Sequence, residues 1–348
     1  MWSRAVFGLA GLLAWNAATV YAEPTVIIVA WDGGKASVVL RLVAQGQLPT
    51  LQALMGQGSY TFQARTVWPS KTLPSFTSML TGVGPQRHGV LWNDYEPERG
   101  WVPVPTVFEV AKGTDGSTPL RTAMVFTKKK LRHLAKPGTV DAVEEVDGDA
   151  LRVAERTVRL IERLRPHLLF VHFGDPDRAG HLYGWGDEAR GQAPSSPFME
   201  ALRRCDRALG TLVEALRQKG LWEETLLIVT ADHGGHGYNH GSSDPQDVLI
   251  PWVAAGGLAA PAGALGRAVH TTDTAATALA ALGRTPPADW DGRPVWEALR
   301  LRPTESLERL ERQSFWTPKE AYRNVPGLNS YSRCLVRTVA STRAWDFK

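Results

Sequence analysis

Between Thr230 and Gly241 the chain reads TADHGGHGYNHG, which sets one aspartate and three histidines among four glycines. Imidazoles and a carboxylate at this density are the donors of a zinc or other divalent transition-metal site, and no thiolate is needed. Asp232 and His233 are adjacent, so a bend must present both to one point, because neighbours on a strand face opposite ways. Gly234 and Gly235 are expected to ease that bend. A second group, DPDRAGH, spaces Asp177 and His181 four apart, so a helical turn or tight loop sets both on one side. Any one of these residues alone reads as well as a helix cap, a turn acid or a hydrogen-bonded histidine. As a set they point to metal.

The elements that must position them are short apolar runs: TVIIVAW at 25–31, LRTAMVF at 120–126, HLLFVHF at 167–173, TLLIVTA at 225–231 and IPWVAAG at 250–256. Helical patterns lie between, as at 149–165 and 198–220. This alternation predicts an α/β fold, a mostly parallel central sheet with helices on both faces. Ligands in such sheets bind beyond the carboxyl ends of the strands. There Asp32 follows the first run, Asp175, Asp177 and His181 follow the third, and Asp232 and His233 follow the fourth.

A nucleophile for that edge is offered by WPSKTLPSFTSMLTG, in which Thr72 precedes a helical run starting near Leu73 or Pro74. A hydroxyl at a helix N-terminus sits where backbone N–H groups and the dipole favour phosphate. Thr72 could equally cap the helix, and the two roles are compatible. No histidine flanks it, so a metal would have to lower its pKa.

The blocks AWDGG, PSKTLPS, HGVLWN, DPDRAGHLYG, ADHGG and NHG, in this order, resemble the alkaline phosphatase superfamily and within it the nucleotide pyrophosphatase/phosphodiesterase branch, over about residues 25–285. The resemblance implies two divalent metal ions, expected to be zinc. One would be held by Asp32, Thr72, Asp232 and His233, the other by Asp177, His181 and His240, with His270 as the alternative third ligand. It also implies that Thr72 attacks phosphorus, that Asn93 donates a hydrogen bond to a phosphoryl oxygen, and that Lys71 matches a basic residue before the nucleophile. His236 is expected nearby, as a support or a substrate group. Leu73 stands where the family has phenylalanine, and Lys136-Pro137-Gly138 where it has tryptophan-proline-glycine. Those aromatics line the base pocket in relatives, which weighs against a nucleotide substrate. Lys128, Lys129, Lys130, Arg132, His133 and Lys136 are expected to form a basic patch on the metal edge. KTLPSF lacks the Cys/Ser-x-Pro-x-Arg context of a sulfatase, and the serine and large inserted domain of a cofactor-independent phosphoglycerate mutase are missing.

Residues 1–22, an apolar run after Arg4 ending in Val-Tyr-Ala, read as a secretory signal peptide, too short for a span. Residues 23–300 then form the catalytic domain, and 301–348 an extension of unassigned role. The expected location is periplasmic or secreted. The expected partner is a small phosphorylated substrate. A formal net charge of +4 gives no nucleic-acid-binding signal, and no stable membrane anchor is expected. Cys205 and Cys334 could pair or stay free in an oxidising compartment. The reading is an extracytoplasmic metal-dependent phosphoric ester hydrolase, a phosphodiesterase or phosphatase; the alternative is a non-catalytic binder of a phosphorylated ligand, which would retain the fold without turnover.

Overall fold

Val26 to Trp31 are all buried, and they alternate between two hydrophobic layers: Val26, Ile28 and Ala30 face one, Ile27, Val29 and Trp31 the other. A strand buried on both faces must lie inside a covered sheet. The computed structural model describes residues 23–113 and 117–300. Its eight strands are β1 (Thr25–Trp31), β2 (Ser59–Arg65), β3 (Thr122–Phe126), β4 (Ala142–Glu145), β5 (Leu168–Phe173), β6 (Thr225–Thr230), β7 (Leu249–Ala255) and β8 (Gly263–Ala264). They form one sheet in the order β4-β3-β5-β1-β6-β7-β2-β8. The pairs β4-β3, β3-β5, β5-β1, β1-β6 and β2-β8 are parallel, whereas β7 runs antiparallel to both β6 and β2.

The helices are α1 (Ala36–Ala44), α2 (Pro49–Gln57), α3 (Thr72–Thr81), α4 (Pro85–His88), α5 (Val107–Ala111), α6 (Ala150–Leu164), α7 (Asp175–Tyr183), α8 (Ser196–Gln218), α9 (Pro245–Val248) and α10 (Asp273–Ala281). On one face α3, α5 and α10 supply Leu73, Phe76, Phe108 and Leu279; on the other, α1, α2, α6 and α8 supply Val39, Leu51, Val153 and Leu202. Local chemistry starts the long helices: Asp149 accepts from Arg152 N at 3.1 Å before α6, and Ser195 accepts from Phe198 N at 3.3 Å before α8. The run 250–256 is thus a strand, but an antiparallel one, and β2, β4 and β8 add strands outside the five apolar runs.

Among the described residues no helix is long and apolar enough to cross a membrane. Cys205 is a free, buried thiol in α8. The expected signal peptide, Cys334 and the 301–348 extension lie outside the described residues.

Candidate metal centre and nucleophile

β1, β5 and β6 are adjacent, so the turns leaving their carboxyl ends meet. Asp32 leaves β1, Asp177 sits in the first turn of α7 behind β5, and Asp232 and His233 leave β6; all four are buried. Gly33 joins the first two turns. It has φ +70°, and a Cβ there would stand 3.0 Å from Asp177 Cα, so only glycine lets these backbones approach. The amides of Gly33 and His233 both donate to Asp232 Oδ1 at 3.0 Å, which locks that carboxylate. Gly234 and Gly235 serve differently from the sequence expectation. Neither adopts a left-handed backbone; a Cβ would lie 2.1 Å from Gln246 O at Gly234 and 2.5 Å from Trp185 Cδ2 at Gly235. They are there for close packing of the loop.

Four buried atoms at this junction have no hydrogen-bond partner: Asp32 Oδ1, Asp177 Oδ1, Asp232 Oδ2 and His233 Nε2. His233 Nε2 stands 3.5, 3.9 and 3.3 Å from the other three. His240 Nε2 and His181 Nε2 lie 3.5 and 3.4 Å from Asp177 Oδ1. Buried donor atoms left unpaired cost about 1–3 kcal/mol each, so such a cluster requires a shared partner. Ligands about 2.0–2.2 Å from one tetrahedral cation are spaced by roughly 3.3 Å, which these distances approach. Asp32, Asp232 and His233 form one group able to hold a metal ion, and Asp177, His233 and His240 a second. The first group fits the set that the sequence resemblance implies, whereas the second has His233 where the resemblance implies His181, whose exposed ring stands beside Asp177.

The electrostatics agree. Burial lowers the pKa of His233, and burial with His233 beside it lowers that of His240 to about 3, so both imidazoles are neutral donors. Burial and then the charge of Asp32 push Asp232 well above the carboxylate range, the signature of carboxylates crowded without enough cation. Burial also opposes the charge of Asp32, but Lys128, His172 and His233 outweigh it and hold the group well below its usual range.

Thr72 is the first residue of α3, ahead of the expected start, and is buried. The capping position is Lys71, whose side chain makes no cap hydrogen bond, so Thr72 does not serve as the cap. Its Oγ1 instead accepts from Lys128 Nζ at 3.2 Å. Asn93 Oδ1 accepts from Leu73 N at 2.9 Å, which leaves the amide nitrogen as the donor at the other end of the group. Leu73 itself points into the core and does not line the site. The methylenes of Lys71 lie along Gly241, placing it at the rim. Exposed Trp68, Tyr183 and Tyr238 each stand within four residues of a site residue.

His270 is exposed, and its backbone N–H donates to Asp273 Oδ2 at 3.0 Å, at the start of α10; His240 is the one gathered with Asp177 and His233. His236 is pinned away from the cluster, its Nδ1 2.7 Å from Asp247 Oδ1. Asp175 is taken by Arg204 at 3.0 Å. The basic patch does not form as a patch. Lys129 lies over the Tyr95 ring, Arg132 pairs with Glu145, Lys136 with Glu109, and His133 is buried with its Nδ1 on Gly100 O. Pro137 and Arg132 instead line a separate cleft of about 450 Å³ with Tyr95 and Trp101. Lys128, bonded to Asp177 Oδ2 at 2.6 Å and Asp32 Oδ2 at 2.7 Å, enters the site, and half-buried Lys130 lies within reach of the charges of Lys128, Asp32 and Asp177. Burial disfavours the charge of Lys128, but Asp32, Asp177 and Asp232 outweigh burial and raise its pKa, so it is an ammonium. His172, which the sequence reading passed over inside an apolar run, holds Asp32 Oδ2 at 2.7 Å.

His88 secures the loop that carries Asn93. Its Nδ1 accepts from Val90 N at 3.0 Å and its Nε2 lies 2.9 Å from Ser78 Oγ, and burial lowers its pKa to about 4. The folded state therefore prefers the neutral ring, whereas the unfolded chain protonates near pH 6.5. This stabilisation is present above about pH 6.5 and is lost as pH falls towards about 4, at up to about 1.4 kcal/mol per pH unit. Urea unfolding across that window is expected to show the wild type losing stability faster than His88→Asn. Parallel pH slopes would contradict the assignment.

A covered, mostly parallel sheet with two Asp/His groups at its carboxyl edge and a threonine at a helix N-terminus defines an alkaline phosphatase-like α/β protein. Solved structures agree on the fold: a 2-O GAG sulfatase superposes with a TM-score of 0.65 at 16% identity, covering 80% of this chain and 74% of that one. Murine ectonucleotide pyrophosphatase/phosphodiesterase 5, an inactive form in complex with AMP, gives 0.61 at 15% identity, covering 76% of this chain and 96% of the other. Residues 26–254 match the sequence model of the type I phosphodiesterase / nucleotide pyrophosphatase family, and the chain belongs to that family. Ectonucleotide pyrophosphatase/phosphodiesterase family member 1 of Mus musculus is 26% identical over 235 residues, 62% of this chain and 24% of that one. A bis(5'-adenosyl)-triphosphatase of Xenopus laevis is 25% identical over 232 residues, 61% of this chain and 47% of its own length. The chain thus spans between about a quarter and a half of these relatives.

Proposed function

We propose that this protein is an extracytoplasmic, metal-dependent hydrolase of phosphoric esters in which Thr72 is the nucleophile. The observation that carries the reading is the set of four unpartnered buried atoms, three carboxylate oxygens at 3.3 to 3.9 Å from His233 Nε2, on the sheet edge that also holds Thr72. Asp32, Thr72, Asp232 and His233 would hold one divalent ion and Asp177, His181 and His240 a second, with zinc suited to this donor set. When bound, the ions supply positive charge that lowers the pKa of a hydroxyl or water and stabilises a leaving oxygen.

Thr72 Oγ1, having lost its proton, forms the bond to phosphorus while the bond to the departing alcohol breaks and that oxygen keeps the electron pair. The product is phosphothreonine at Thr72. Water then attacks the same phosphorus, the Thr72 oxygen leaves, and the hydroxyl regains its proton. Asn93, oriented by Leu73 N–H, donates to a phosphoryl oxygen, and Lys71 at the head of α3 adds positive charge at the rim. A small phosphorylated substrate, met outside the cytoplasm after removal of residues 1–22, fits this site.

The test is turnover of the zinc-loaded protein on p-nitrophenyl phosphate, bis-p-nitrophenyl phosphate and p-nitrophenyl thymidine monophosphate. Turnover of at least one, abolished by a chelator and restored by metal, is expected. No turnover with about two equivalents of metal bound would overturn the reading in favour of a binding protein.

A further inference from the structure

Lys128 Nζ reaches three groups: Thr72 Oγ1 at 3.2 Å, Asp177 Oδ2 at 2.6 Å and Asp32 Oδ2 at 2.7 Å. The unpartnered atoms of those two carboxylates are their Oδ1 oxygens, which face His233. The ammonium and the donor cluster thus use opposite oxygens of the same carboxylates and do not compete for them.

The fold fixes this lysine. It is the second residue after β3, which pairs with β5 in the register Val125↔Val171. The residue before it, Thr127, brings its backbone N to 3.3 Å and its Oγ1 to 3.1 Å from His172 Nδ1, and His172 Nε2 holds Asp32 Oδ2 at 2.7 Å. Gly174 makes room for that turn, since a Cβ there would fall 2.4 Å from Thr127 Oγ1. A closed chain of contacts therefore runs Asp32, His172, Thr127, Lys128 and back to Asp32. About a fifth of the Lys128 side chain, 22%, stays accessible, so a bound group can meet it.

A phosphoryl group attacked by Thr72 must bring its oxygens beside the ammonium that already touches Thr72. A phosphate monoester presents three non-bridging oxygens and, at neutral pH, nearly two negative charges; a diester presents two such oxygens and one charge. The additional oxygen and charge call for an additional cationic donor within the site. We infer that Lys128 is that donor and that the site selects phosphate monoesters over diesters. This rests on the hydrolase reading above, and it sets the chain apart from relatives whose names state pyrophosphatase and phosphodiesterase activity.

The experiment compares kcat/KM for p-nitrophenyl phosphate and bis-p-nitrophenyl phosphate, using the metal-loaded wild type, Lys128→Met and Lys128→Arg, with metal content and inhibition by inorganic phosphate measured on each. The wild type is expected to prefer the monoester. Lys128→Met should lose about 100-fold more on the monoester than on the diester, with phosphate inhibition weakened in parallel. Lys128→Arg, which keeps the charge, should recover part of the monoester rate. A wild type that prefers the diester overturns the proposal whether or not the variants fold. So does an equal loss on both esters, which would make Lys128 only a counter-ion of Asp32 and Asp177. Turnover of neither ester by the metal-loaded wild type would be the failure of the hydrolase reading itself.

Discussion

Thr72→Ala is expected to lower kcat on every phosphoric ester by about ten-thousand-fold or more while leaving bound metal near the wild-type level. The change removes the only group assigned to bond with phosphorus, and the remaining electrostatics cannot supply a covalent route. The fold has little reason to notice. Thr72 is not the cap of α3, its hydroxyl contact is with Lys128, and alanine is the better helix former. Asp32, Asp177, Asp232, His233 and His240 remain to hold the ions. Steady-state kinetics with metal analysis on the same preparation checks both halves. Activity retained within about tenfold would remove Thr72 from the chemistry.

Asp232→Asn is expected to lose metal and activity together, with metal affinity falling by about 100-fold or more. The asparagine Oδ1 can keep both bonds from Gly33 and His233, so the loop stays in place, but an amide NH2 then occupies the position of the unpartnered Oδ2. That replaces an anionic donor with a group that cannot ligate. The metal-free protein should respond in the opposite sense. Asp232 is buried beside Asp32 and carries a pKa well above the carboxylate range, so a neutral isostere relieves repulsion. Thermal unfolding of the metal-free variant is thus expected at or above the wild-type temperature, whereas the metal-loaded comparison favours the wild type. Undiminished metal binding by Asp232→Asn would dissociate this carboxylate from the site.

The parts of the molecule that were legible are those where burial leaves an unmistakable pattern. β1, β5 and β6 are buried on both faces and read as apolar runs, and the polar residues just after them mark the sheet edge. β2 escaped because SYTFQAR is only half-buried, and β4 because AVEE is four residues long and buries none of them fully. The antiparallel course of β7 has no local signature, since direction is set by the connections. In the site, acids and histidines at strand ends were visible, and the structure gathers Asp32, Asp232 and His233. His172 was hidden because the second histidine of HLLFVHF reads as strand core; its full burial is the signal, as a buried imidazole needs a partner. Lys128 was legible as a cation on the metal edge but not as the one of three consecutive lysines bonded to Asp32 and Asp177, because that depends on the turn after β3, which sends Lys129 over the Tyr95 ring instead. The choice between His240 and His270 turns on tertiary packing: β7 and α9 fold the loop carrying His240 over Ser70, whose carbonyl lies 2.9 Å from its Nδ1, while His270 stays exposed.

The stereochemical course at phosphorus tests most directly whether the metal-loaded protein works through Thr72. A monoester made chiral at phosphorus with oxygen isotopes is hydrolysed or, where transfer is faster, its phosphoryl group is passed to an added alcohol, and the configuration of the product is read. Each in-line displacement inverts phosphorus. Attack by Thr72 followed by attack on phosphothreonine gives net retention, which is the predicted result even if the intermediate never accumulates. Net inversion would mean a single direct attack by water and would contradict the account.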